Sequence, residues 1–265
     1  MEMNSPAALQ PLPPAAAALA GLDARLRQAM AARSDEAAST ATAREAFVAQ
    51  GAFVHVDAFL GAEVTAQLVA AVRAVESEVN RNYLPGHKQG GSVSRHAIAR
   101  LAPFVAELYA APALREWLEQ VCGEPLLLSP DDDPHAFAFY FYTRPGDHIG
   151  WHYDTSYYEG RRYTLLLGVI DDSSCVLEYR LHTREPGVTP RDGALQMAPG
   201  SLVFFDGDKL HHRITPASAD QTRVSLTFEY VTDARMRPLQ RLISNMKDAV
   251  AYFGFRQVFR RAGRS

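Results

Sequence analysis

The chain has 265 residues, 47% hydrophobic and 22% charged, with a net charge of −3 at neutral pH. This is ordinary globular usage, with enough chain for one large domain or two small ones, and it excludes a collagen-like or wholly disordered protein. No apolar run is long enough to span a membrane, and the mild acidity gives no general attraction to nucleic acid or to an anionic bilayer.

Residues 1–45 are rich in alanine and proline. They read as a poorly ordered tail through residue 20 and a short helix over 22–32, an accessory or oligomerisation arm. Residues 46–265 read as a single domain, with helical support over 58–121, a β core over 136–231 and a C-terminal helix over 234–261. Within the support, Val64, Leu68, Val72 and Val75 recur at three- and four-residue steps and predict a helix over 62–79. Residues 80–96 are polar, with Pro85 and three glycines, and predict a long loop acting as a lid or binding segment. Two further helices are predicted over 97–109 and 112–121. The two cysteines, Cys122 and Cys175, lack metal-ligand spacing and read as buried thiols in a reducing cytoplasm.

After Pro130 the period changes. Runs 136–142, 163–170, 176–181, 201–205 and 223–231 are β-rich. Turn signals separate them, among them Pro145–Gly146, Asp192–Gly193, Pro199–Gly200 and Asp206–Gly207. Successive strands without intervening helices predict an antiparallel sandwich or barrel.

The chemistry-bearing residues lie in this half. His152 and Asp154 are two apart, so on an extended strand an imidazole and a carboxylate project from one face. His211 and His212 follow the strand at 201–205 and offer the third ligand. Two histidines and one carboxylate leave open positions on an octahedral ion, the ligand set of non-haem Fe(II) oxygenases. On the next strand Arg223 and Ser225 share a face, and a guanidinium there can grip a carboxylate through two parallel hydrogen bonds.

The stretches FYFYTRPGDHIGWHYD (139–154), PGSLVFFDG (199–207), HHRITP (211–216) and RVS (223–225) resemble the Fe(II)/2-oxoglutarate-dependent oxygenase superfamily. HYDTSYYEGRRYTLLLGV and LHTREPG are most similar to its branch of free-amino-acid halogenases and their hydroxylase relatives. The resemblance implies a double-stranded β-helix, a jelly-roll or cupin-like barrel flanked by α-helices. It implies iron held by His152, Asp154 and His212, because Ile214 and Pro216 follow His212 in the superfamily's register, leaving His211 on the opposite face. Arg223 matches the arginine that binds the distal carboxylate of 2-oxoglutarate, and Tyr142 matches an aromatic that adds a hydroxyl there.

The implied reaction consumes dioxygen and 2-oxoglutarate, releases succinate and carbon dioxide, and hydroxylates an unactivated C–H bond. In the halogenases of this superfamily a glycine or alanine stands where Asp154 stands here, so hydroxylation is expected; the neighbouring His148–Ile149–Gly150 is a decoy of the halogenase pattern. The expected substrate is a free, polar amino acid. Arg95, His96, Trp151, Tyr153 and Thr155 are the main candidate contacts, with His87, Lys88, Tyr157, Tyr158, His135 and residues 131–133 behind them. Desaturation, halogenation, prolyl-type peptide hydroxylation and a cupin-type reaction without 2-oxo acid are the rival chemistries. A homodimer through the N-terminal arm or the C-terminal helix is the expected assembly.

Overall fold

The structure is a computed structural model that describes residues 14–31 and 39–235. Residues 1–13 and nearly all of the predicted C-terminal helix lie outside the described residues. Helices form α1 (Pro14–Ala31), α2 (Thr40–Ala49), α3 (Ala62–Val75), α4 (Arg95–Leu101), α5 (Pro103–Ala110) and α6 (Pro112–Cys122). Each boundary has a local cause. Ser39 caps α2 by accepting from the Thr42 amide at 3.2 Å. Proline opens α5 and α6, where its missing N–H costs nothing. Gly123, at φ 78°, ends α6 in the left-handed region.

The strands are β1 (Phe53–Val56), β2 (Asn80–Leu84), β3 (Lys88–Ser94), β4 (Leu127–Leu128), β5 (Phe137–Tyr142) and β6 (His148–His152). They continue as β7 (Arg162–Asp172), β8 (Leu177–Leu181), β9 (Arg191–Leu195), β10 (Leu202–Asp206), β11 (His211–Ile214) and β12 (Thr222–Val231). They pair in one antiparallel sheet in the order β1-β10-β7-β12-β5-β3-β6-β11-β8-β9, with β2 added on β3 and β4 on β12. The sheet curls, so that β5, β7 and β12 on one side and β6, β8 and β11 on the other send side chains into one cavity. This is the helix-flanked jelly-roll core that the sequence predicts.

Strand periodicity divides the two faces. On β12, Val224, Leu226, Phe228 and Tyr230 enter the apolar core shared with the helices. The alternate residues Ser225, Thr227 and Glu229 line the cavity. On β7, Tyr163, Leu165 and Leu167 face the helices, while Thr164 and Leu166 face the cavity. The helical layer thus stiffens the outer side of the strands that carry the site. Among the described residues no helix is long and apolar enough to cross a membrane.

Four sequence expectations change. Residues 80–96 are no free loop: β2 and β3 form a hairpin, and β3 is an inner strand paired with both β5 and β6. Its glycines mislead because they serve close packing; a Cβ on Gly91 would fall 2.5 Å from the Val79 side chain. The helix predicted over 97–109 is two, broken between Leu101 and Pro103. Asp192 and Gly193 lie inside edge strand β9 and not in a turn. Finally, α1 begins at Pro14 and is a packed element: Leu22 and Leu26 are buried in the core. The Asp23 carboxylate accepts the Ala113 amide at 2.5 Å, satisfying a free N–H in the first turn of α6.

Candidate metal centre

Three candidate ligands, two imidazoles and a carboxylate, converge on the curled sheet. His152 ends β6, His212 lies in β11 directly across from it, and Asp154 sits two residues past the end of β6. The extended strand predicted to carry both His152 and Asp154 stops at His152, yet the carboxylate still returns to the imidazole. His152 Nε2 is 3.5 Å from Asp154 Oδ1, and His212 Nε2 is 3.9 Å from Oδ2. One ligand atom from each residue lies within 4.8 Å of the others, a spacing that suits one shared metal ion.

The hydrogen bonds behind the ligands set their chemistry. His152 Nδ1 donates to the Gly150 carbonyl at 2.8 Å, and His212 Nδ1 donates to the Leu210 carbonyl at 3.2 Å. A carbonyl only accepts, so the proton stays on Nδ1 and the lone pair of each ring stays on Nε2, facing Asp154. Burial, then the neighbouring His152, push the His212 imidazole down to about 4, so it is neutral and ready to ligate at physiological pH. Burial alone would raise the Asp154 carboxyl. In the metal-free site the His212 and His152 imidazoles, when protonated, together with the Arg162 guanidinium outweigh it and hold the group well below the usual carboxylate range.

Asp154 is fixed from two sides. The Thr164 hydroxyl lies 2.9 Å from Asp154 Oδ2 and 3.1 Å from Glu229 Oε2, and Glu229 in turn accepts from Arg162 Nε at 2.8 Å. Gly207 passes so close that a Cβ there would fall 2.5 Å from the Asp154 carbonyl oxygen. Thr164→Val keeps the shape and removes the hydroxyl that orients the carboxylate. It is expected to weaken Fe(II) binding roughly tenfold or more, in the range of outer-shell substitutions, with the fold retained. Anaerobic titration beside circular dichroism checks this.

The ligands open on a cavity of about 360 Å³. Arg223, at one end of the cavity-facing row of β12, is 1% exposed, so pairing with a surface acid is excluded. Its Nη1 donates to the Cys175 carbonyl at 3.3 Å, while Nε and Nη2 are buried without a partner among the described residues. Tyr142, paired with Arg223 across β5–β12 and with its ring centroid 6.0 Å from the guanidinium carbon, lines the cavity together with Ser225. Two unsatisfied guanidinium nitrogens in the interior are costly unless a ligand carboxylate answers them. The donor set therefore fits a chelated metal with an anionic co-ligand anchored at Arg223.

The predicted substrate contacts separate. Tyr153, His87 and His135 line the cavity. Arg95 does not: it donates to the Pro130 carbonyl at 2.7 Å and pairs with Asp131 at 2.6 Å. Lys88 is buried with its ammonium 4.9 Å from the centre of the Tyr140 ring. His96 is outside the lining, Thr155 is exposed, and Trp151 points to the outer face between Arg180 and Arg213. Asp133 is taken by the Tyr158 hydroxyl at 2.5 Å. His148 of the decoy triplet donates to Gly146 at 2.7 Å and stays away from the cluster. The polar wall farther along β12 and the adjacent β7 was missed: Arg162, Thr164, Thr227 and Glu229 all line the cavity. The step of two from Arg223 through Ser225 and Thr227 to Glu229 was the signal that could have found it.

A family described as Halogenase D matches residues 35–159, a stretch that contains His152 and Asp154 and ends before His212 and Arg223. Among solved structures, the epimerase SnoN from nogalamycin biosynthesis, in complex with Fe3+, alpha ketoglutarate and nogalamycin RO, is 17% identical. It superposes with a TM-score of 0.60 over 87% of this chain and 90% of its own. A Pseudomonas putida prolyl-4-hydroxylase is 21% identical, with a TM-score of 0.55 over 75% of this chain and 99% of its own. AviO1 from Streptomyces viridochromogenes Tue57 is 17% identical, with a TM-score of 0.59 over 76% and 97%. No curated protein matches the chain. The similarity of residues 35–159 to the Halogenase D family and the fold shared with the solved structures agree with the resemblance read from the sequence.

Proposed function

We propose that the protein is an Fe(II)/2-oxoglutarate-dependent hydroxylase of a small polar substrate, a free amino acid or a close analogue. The observation that carries this reading is the His152–Asp154–His212 cluster opening on a cavity whose wall, at Tyr142 and Ser225, adjoins the buried Arg223 guanidinium, two of whose nitrogens have no partner among the described residues. His152, Asp154 and His212 would hold the iron, and Arg223, with Tyr142 and Ser225 beside it, would hold the far carboxylate of 2-oxoglutarate. When bound, iron couples the oxidative decarboxylation of 2-oxoglutarate by dioxygen to oxidation of a substrate C–H bond.

The chain's own residues supply placement. Arg223 fixes the co-substrate at one end, and the apolar lining of Leu166, Leu177 and Phe205 excludes water around its chain. Glu229, Arg162, Thr227 and His135 present charges and hydroxyl groups for a polar substrate. Leu84 and His87, at the turn of the β2–β3 hairpin, line the mouth and narrow it toward small ligands. The matched family carries a halogenase name, but Asp154 supplies a carboxylate where a halide would need an open position. That residue favours oxygen transfer.

Aerobic succinate release measured against a panel of free amino acids tests the reading. One amino acid is expected to stimulate succinate and to appear as a product 16 Da heavier. A halide-bearing product, or stimulation by a prolyl peptide and by no free amino acid, would overturn the hydroxylase or the small-substrate assignment respectively.

A further inference from the structure

His152 is the last residue of β6, while His212, the second residue of β11, is paired regularly with Tyr179 of β8 on its other side. The ladder between these strands pairs His212 with His152 and Ile214 with Ile149, with a register slip between the two pairs. On the β6–β11 side the ladder therefore ends at the His212–His152 pair and is irregular next to it, so contacts beyond that pair can set how the two rings are spaced.

On the opposite face the same two strands are joined by rings, together with Tyr153, which follows the end of β6 and also lines the cavity. Trp151 flanks His152 on the outside and His211 flanks His212, as strand alternation requires. The His211 ring lies between Trp151, at 5.0 Å and 32°, and Tyr153, at 4.7 Å and 21°. Arginines close both ends: the Arg180 guanidinium carbon is 4.4 Å from the Trp151 ring centre, and that of Arg184 is 3.7 Å from Tyr153. Arg184 also donates to the Asp208 carbonyl at 2.7 Å, and the Tyr153 hydroxyl bonds Thr183 at 2.9 Å, so the stack is anchored to the chain beyond β8 and ahead of β11.

We infer that His211 is a positioning residue: stacked between Trp151 and Tyr153, it clamps β6 to β11 and sets the spacing of His152 and His212 for the metal. Ring–ring and guanidinium–ring contacts depend on planar shape, so another ring at 211 should serve where a small side chain would not. The inference rests on the metal reading above.

The test compares wild type, His211→Ala and His211→Phe in the full chain by anaerobic Fe(II) titration and by the visible d–d spectrum of the Co(II) form, with circular dichroism as the check on folding. His211→Ala is expected to bind Fe(II) about 10- to 100-fold more weakly, in the range of other outer-shell losses, with an altered Co(II) spectrum. His211→Phe is expected to stay within about threefold of wild type and keep the wild-type spectrum. Equal affinity and spectrum in wild type and His211→Ala overturn this inference alone. Failure of His211→Phe to restore binding also overturns it, because the imidazole and not the stack would then matter. A wild-type protein that binds neither metal overturns this inference and the metal reading together. If His211→Ala does not fold, Trp151→Ala and Trp151→Phe carry the same comparison, with the same loss and rescue expected.

Discussion

Arg223→Met is expected to act with opposite signs on the protein alone and on its co-substrate. The guanidinium is 1% exposed and leaves Nε and Nη2 without partners. Methionine of similar length removes that cost, on the order of 1–3 kcal/mol, so the protein without 2-oxoglutarate should melt several degrees higher. The same change removes the charge that receives the distal carboxylate, a loss of about 3 kcal/mol, or roughly a hundredfold in 2-oxoglutarate affinity. Thermal melts and a 2-oxoglutarate titration on the same samples read both signs. A variant that melts lower and binds 2-oxoglutarate as wild type does would show that Arg223 is a core residue with no ligand.

His212→Ala is expected to abolish tight metal binding, losing more than the roughly hundredfold that outer-shell substitutions reach. It should also change the acid stability of the metal-free protein. The folded imidazole titrates near 4 because burial, then His152, disfavour its charge, whereas the ordinary value is 6.5. Below 6.5 the unfolded chain takes up a proton that the folded chain refuses, so stability is full above 6.5 and falls as pH drops toward 4. That loss should shrink in His212→Ala, and the loss at lower pH from protonating Asp154 should shrink as well, because His212 is the first of the groups that hold the carboxyl low. Metal-free melting temperatures across this window, with and without the substitution, check it. An unchanged pH profile would mean that the histidine is not held neutral by burial.

The site was legible where the chemistry depends on residue type and short spacing. Arg223 was found with Ser225 because strand alternation alone puts such residues on one face. His152 was found with Asp154 by the same expectation, although β6 ends at His152 and the carboxylate returns to the imidazole from beyond the strand. His212 over His211 needed the family register, and the structure shows why: the two point to opposite faces, one into the metal cluster and one into the stack with Trp151 and Tyr153. The substrate side was mostly illegible. Arg95 and Trp151 looked available because nothing in their neighbourhood names Asp131, or Arg180 and Arg213, as their partners. Thr164 and Glu229 looked like ordinary strand residues, and only pairing between β7 and β12 sets them side by side behind Asp154. The β2–β3 hairpin failed for a related reason. Its glycines and polar residues have loop composition, and its strand character comes from pairing with β5 and β6, which lie far off in sequence.

The most direct test of the metal and co-substrate assignment is anaerobic addition of Fe(II) and then 2-oxoglutarate, followed by visible spectroscopy. A metal-to-ligand band of the Fe(II)–2-oxoglutarate chelate is expected in wild type, shifted to higher co-substrate concentration in Arg223→Met and missing in His152→Ala. Metal-loaded wild type that shows no chelate at saturating 2-oxoglutarate would contradict the assignment and leave a cupin-type metal enzyme, needing no 2-oxo acid, as the reading of this cavity.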